Sequence, residues 1–214
     1  MLAVAILLSG FLTIRTIQVP DQIQHDYPVI TASLTRACEV WERAGVGHFV
    51  IGSNFRSPSI ILTVAKTPLP AIAATSTRFR WAADNVSIEE FKELKIDPSV
   101  EEMLVVTRLG IYPVNVLVHE LGHAMGLPHI EGADAPLEDR EADVIVVESE
   151  NFAKQFIMYR YLTGVPAGPS RYEAALILGR PLTPADLSVR MLEPMLERVE
   201  LTRAAALVLL KGKR

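Results

Sequence analysis

Three of the five histidines fall within residues 119 to 129, where the chain reads HELGHAMGLPH. His119 and His123 are four apart, so on a helix both imidazoles leave the same face and can grip one ion. Glu120 then lies about 100° around from His119, beside the ion but poorly aimed to ligate it. A carboxylate so placed suits a general base that takes a proton from a water on the metal. Gly126 stands where such a helix has to stop, because glycine takes the left-handed conformation that turns a chain sharply. That turn would bring His129 back as a third nitrogen ligand.

Three histidines and one water make the open, four-coordinate arrangement of a catalytic zinc, not the closed shell of a structural one. A zinc held this way lowers the pKa of its water toward about 7 and polarises a carbonyl, which implies hydrolysis of a peptide bond. Two exposed helix histidines are the plainer reading of His119 and His123 alone. The five fixed positions together, Gly126 and His129 included, argue against it.

The rest of the chain must build and back that helix. Val114, Leu117, Leu121 and Met125 cluster opposite the histidines, so the helix can be buried behind while its histidine face looks into a cleft. Pro28 to Ala44 carries Ile30, Leu34, Ala37, Cys38 and Trp41 at helical spacing. Val50–Ile51, Ile60–Ala65, Arg78–Ala82 and Met103–Thr107 read as strands. Between Asp84 and Val100 the chain is mostly polar, with a helical turn or two expected at Ile88 to Leu94. Thr183-Pro184 opens a helical segment toward Leu210, with Thr as N-cap and Pro in the first turn. No internal repeat, low-complexity tract or second domain is visible.

The chain has 214 residues, a net charge of −4, 21% charged side chains and one cysteine. Mixed charges leave no basic face for nucleic acid, and they are too frequent for a multi-span membrane protein. One cysteine allows neither an internal disulfide nor a cysteine zinc cluster. Residues 1–14 are uncharged and mostly apolar. They are short of the roughly 20 residues a membrane span needs. They have the length of a signal-peptide core but lack its positive leader. Leu8-Ser9-Gly10 begins a lipoprotein box, yet Phe11 stands at the cysteine position. The division expected is a signal-like or anchor segment over 1–19, with residues 1–14 a possible membrane tether, and one catalytic domain over 20–214. A buried first strand or helix is the competing reading.

HELGHAMGLPH resembles the HExxHxxGxxH zinc signature of the metzincin metallopeptidases, and most closely that of their matrixin branch. Ile157-Met158-Tyr159 resembles the matrixin LMYP turn, with Arg160 at the proline position. Leu182 to Leu187 (LTPADL) resembles the opening of the family's last helix. The resemblance implies that His119, His123 and His129 hold one catalytic zinc, that Glu120 is the base, and that Met158 is the turn residue beneath the metal. Without it Met158 would be ordinary core. It implies an α/β (α+β) zincin fold: a twisted, mostly parallel sheet with one antiparallel edge strand, the Pro28–Ala44 helix, the active-site helix Pro113–Met125 and a C-terminal helix. A protein or peptide substrate would lie extended along the edge strand. Secretion or association with the cell envelope goes with that reading.

The sequence departs from the matrixin pattern in several places. The segment from His129 to Met158 is longer, there is no HGD-type segment, and only His25 and His48 remain for a second, structural zinc. Glycine-rich calcium loops are missing, so Ca2+ is unsupported. Cys38 belongs to an apolar stripe rather than a propeptide latch. Tyr159 and Tyr161 both miss the second position after the methionine, so neither is assigned as a ligand. Glu131, Asp134, Glu138, Asp139, Glu141, Asp143, Glu148 and Glu150 crowd one stretch, which reads first as a solvated surface segment. A calcium site or a rim favouring basic substrates is a sharper reading. In a gluzincin-like alternative a downstream glutamate such as Glu141 is the third ligand, and Phe152 to Met158 continues a helix. A non-catalytic metal-binding or partner-binding domain is the rival from another class, and a membrane-tethered scaffold with a structural zinc is a further one. Neither has a use for Glu120.

Overall fold

The computed structural model describes residues 13–69, 71–82, 86–103, 113–136, 143–160, 168–183 and 186. In chain order the elements are β1 (Ile14–Gln18), α1 (Asp21–Asp26), α2 (Pro28–Arg43), β2 (His48–Gly52), β3 (Ile60–Val64), β4 (Ala73–Trp81) and β5 (Ile88–Ile96). They continue with α3 (Ser99–Met103), α4 (Pro113–Ala124), β6 (His129–Gly132), β7 (Val144–Val147), α5 (Glu150–Ala153) and α6 (Arg171–Ile177). Five strands form one sheet in the order β2-β1-β3-β5-β4. Every neighbour is parallel except β4, which runs antiparallel to β5 at the edge. The described residues are thus mixed α/β, with the mostly parallel sheet and the antiparallel edge strand that the resemblance implies.

The core forms where the sheet meets α2 and α4. Ile17, Ile60, Leu62, Leu94 and Ile96 come from the strands, Ile30, Leu34 and Trp41 from α2, and Leu117 and Leu121 from α4. Pro at the first position starts α2. Its first amides are orphan donors, and the buried Glu101 carboxylate from α3 accepts from Val29 N–H at 3.1 Å and Ile30 N–H at 2.9 Å. The Trp41 indole donates to the Val118 carbonyl at 2.8 Å, which pins α2 to α4. Cys38 is buried in this interface, and burial pushes its thiol up, as befits an inert core residue.

The boundary expected after residue 19 does not hold. β1 lies inside the sheet, with Ile17 paired to both Ile51 and Ile60, and Ile17 and Val19 are fully buried. Residues 14–19 are therefore part of the folded domain, while residues 1–12 lie outside the described ones. The helical turn expected at Ile88–Leu94 is also corrected, because these residues open the nine-residue strand β5. Its charges hide the strand period in one dimension and find partners across the sheet: Arg80 with Glu89 at 3.1 Å, Arg78 with Glu93 at 2.7 Å. Met103 ends α3 instead of opening a strand. Residues 104–107, and the helical segment expected beyond Asp186, lie outside the described residues. Among the described residues no helix is long and apolar enough to cross a membrane.

Candidate metal centre

α4 carries the first two histidines, and its sequence makes it a central helix. Val116, Leu117, Val118 and Leu121 are buried with almost no exposure, and His119 and Glu120 are buried among them at 3% and 6%. The helix ends as Gly126 was expected to end it. Gly126 has φ of 96°, its N–H donates to the His123 carbonyl at 2.9 Å, and Leu127 N–H donates to the Gly122 carbonyl at 3.0 Å. These paired bonds are the Schellman termination, which satisfies carbonyls a helix end otherwise leaves open. The turn delivers His129 as the first residue of β6, opposite α4.

The three Nε2 atoms meet in a near-equilateral triangle: His119 to His123 is 3.1 Å, His123 to His129 3.1 Å, and His119 to His129 3.2 Å. Hydrogen bonds to main-chain oxygens fix two of the rings. His119 Nδ1 faces the Ile157 carbonyl at 2.7 Å, and His123 Nδ1 faces the Leu127 carbonyl at 2.7 Å. A carbonyl only accepts, so both Nδ1 atoms carry the proton and both Nε2 atoms present bare lone pairs. Bare nitrogens at this separation repel unless a cation lies between them. Nitrogen ligands at about 2.0–2.1 Å from a tetrahedral zinc are roughly 3.3 Å apart, which this triangle nearly matches. The donor set fits a metal ion, and these three histidines are the only such cluster among the described residues. A proton is a poor substitute, because burial first and then the charge of His123 push His119 down to about 3.

Below the triangle, main-chain bonds lock two segments together. Ile130 N–H donates to the Met158 carbonyl at 2.9 Å, so the strand bearing His129 hangs from the turn whose Ile157 carbonyl orients His119. Met158 is fully buried, and its sulfur lies so close under Gly122 that a Cβ there would run into it. Glu173, buried in α6, accepts from Met158 N–H at 2.8 Å and from Ser170 N–H at 2.7 Å. It therefore closes the α6 capping box and anchors the turn with one carboxylate. Burial pushes the Glu173 carboxyl up to about 7 against these bonds. This is the orienting outer support that metal-ligating histidines require.

Glu120 lines an open cleft of about 850 Å3 shared with the three histidines and with residues Ala71 to Thr77 around the start of β4. Its Oε2 accepts from the Thr75 hydroxyl at 2.7 Å. Burial pushes the Glu120 carboxyl up to about 7, with the Thr75 bond opposing the shift. Lys92, Asp143 and Arg160 also border the cleft.

The structure brings the expected site residues together here: His119, His123 and His129 in the triangle, Glu120 in the same cleft, Gly126 at the turn, and Met158 packed against the helix at Gly122. Thr75 and Glu173 do not stand out in the sequence, and although Gly122 lies inside the motif and Ile157 beside Met158, nothing in the sequence signals what either does. Only the Ser170–Glu173 spacing carried a signal, that of a capping box. The acidic stretch is not solvated throughout, since Glu131 is buried at 3% exposure with Arg160 at 3.5 Å. The helix that the glutamate-ligand alternative needs over Phe152 to Met158 stops at Ala153, and Glu141 lies outside the described residues. No family model matches the chain, and no curated protein shows significant similarity to it.

Proposed function

We propose that this protein is a zinc-dependent endopeptidase of metzincin type, with His119, His123 and His129 as metal ligands and Glu120 as general base. The observation that carries this reading is the triangle of three Nε2 atoms at an open cleft that the Glu120 side chain also lines. A purely structural site would be closed and would have no use for Glu120. Zinc, when bound, supplies Lewis acidity toward a carbonyl and makes water acidic enough to deprotonate near neutral pH.

The chain's own groups account for the remaining steps. Among the described residues β4 is paired only by β5, and its first residues line the cleft, so an extended peptide can add to that edge through main-chain hydrogen bonds. Glu120 takes a proton from the attacking water, whose oxygen bonds to the scissile carbon. The protonated carboxyl then delivers that proton to the departing amine as the C–N bond breaks. Met158 serves as the turn residue that sets the floor of the site. The apolar run before Arg15 supports a secreted or cell-envelope location.

The test is zinc analysis and cleavage of a broad peptide library by wild type, Glu120→Ala and His129→Ala, in chains that retain β1. The reading expects one zinc per chain, chelator-sensitive cleavage, a zinc-loaded but inactive Glu120→Ala, and a zinc-poor His129→Ala. Zinc without cleavage by the wild type would favour a metal-binding or partner-binding domain.

A further inference from the structure

Thr75, on the edge strand, donates a hydrogen bond to the carboxylate proposed as general base. It lies on β4, 45 residues from Glu120 in sequence, and its hydroxyl stands 2.7 Å from Glu120 Oε2 and 3.0 Å from the Glu120 carbonyl. A hydroxyl has one proton to give, and the closer, charged oxygen is the stronger acceptor. Glu120 is 6% exposed, so few conformations are open to its side chain, and this bond selects among them. The bond engages Oε2, one of the two carboxylate oxygens of a residue that lines the cleft. The same residue lines the cleft with its neighbours Ala73, Ala74, Ser76 and Thr77, along the edge where a peptide would pair.

The geometry points to Thr75 as a positioning residue: its hydroxyl holds the Glu120 carboxylate in the orientation for proton transfer and ties it to the strand that receives the substrate. This rests on the peptidase reading. The hydroxyl need not touch substrate, so its loss acts on turnover and not on binding. A hydrogen bond to a charged group that matters only in the chemical step translates into a kcat loss of roughly tenfold to a hundredfold. Thr75→Val keeps the shape and β propensity of the side chain and removes the hydroxyl. Thr75→Ser restores the hydroxyl on a different skeleton.

The experiment measures kcat and KM on a fluorogenic peptide, zinc content and thermal midpoint for wild type, Thr75→Val, Thr75→Ala and Thr75→Ser. The expected result is one zinc per chain in all four and kcat reduced roughly tenfold to a hundredfold in Val and Ala. KM should stay within about twofold, and Ser should recover most of the loss. Thr75→Ala carries the same test should Thr75→Val fail to fold. Wild-type kcat in Val and Ala overturns the inference alone, as does a Ser variant no better than Ala. A rise in KM with kcat preserved also overturns it, because the hydroxyl would then serve substrate binding. A wild type that binds zinc and cleaves nothing overturns the peptidase reading, and this inference with it.

Discussion

Two glycines, four residues apart, separate what the candidate metal centre needs from its helix. Gly126 is required for its backbone: φ is 96° and a Cβ there would meet nothing within 4 Å. Gly126→Ala is therefore expected to cost about 1–2 kcal/mol of stability in a denaturant titration, with only a small loss of metal affinity. The Leu127 carbonyl stays tethered through its own N–H to Gly122. Gly122 is required for its emptiness, since a Cβ would collide with the Met158 sulfur and press on Trp41. Gly122→Ala gains helix propensity yet has to displace the turn that orients His119, so it is expected to weaken zinc binding tenfold or more in a chelator competition. Equal effects of the two substitutions on zinc binding would refute this division. Only the first requirement was legible in the sequence, because a helix stop leaves a spacing signal. A close approach between residues 36 apart leaves none.

At the scale of elements, legibility followed how local each cause is. α2 and α4 were readable because their apolar periods record burial along one axis. β5 was misread as helical because IEEFKELKI takes its logic from β4, whose Arg78 and Arg80 meet Glu93 and Glu89. α6 matters more than its seven residues suggest, since Glu173 joins its capped start to the Met158 turn. Glutamine offers one acceptor where the carboxylate uses two, so Glu173→Gln is expected to cost about 1–3 kcal/mol and to lower zinc affinity. Linkage gives the pH dependence a sign. Burial raises the folded-state value to about 7 from an ordinary 4.5, so between those values the folded chain binds the extra proton. The stability Glu173 contributes is full below about pH 4.5 and is lost as pH rises through 7. The cost of Glu173→Gln in the metal-free protein should therefore be greater at pH 5 than at pH 8. A cost that grows with pH would contradict the assignment.

For the whole molecule, the decisive strand is the one the sequence disguised. Ile14 to Gln18 directly follows an apolar run, and such a run with Arg15 at its end reads naturally as something added to a domain. Yet β1 is the bond between β2 and β3: five register pairs join it to one and two to the other. The sheet positions β4 through β3 and β5, β4 presents Thr75 to Glu120, and α4 packs against β4 and β5. Removing β1 detaches β2 and bares the edge of β3. It also takes the fully buried Ile17 out of the core between sheet and helices, along with Val19 if the cut falls after it. Burying an aliphatic side chain of this size is worth about 1.5–3 kcal/mol, so losing two of them with seven register pairs consumes much of the 5–15 kcal/mol that holds an ordinary domain folded. A chain beginning at residue 20 is expected to lack a cooperative thermal transition and to bind no stoichiometric zinc, whereas one beginning at residue 13 should retain both. Circular dichroism melting and zinc analysis on the two chains decide it. Normal folding of the shorter chain would return residues 14–19 to the role of a detachable segment, and with it the boundary that the sequence alone suggested.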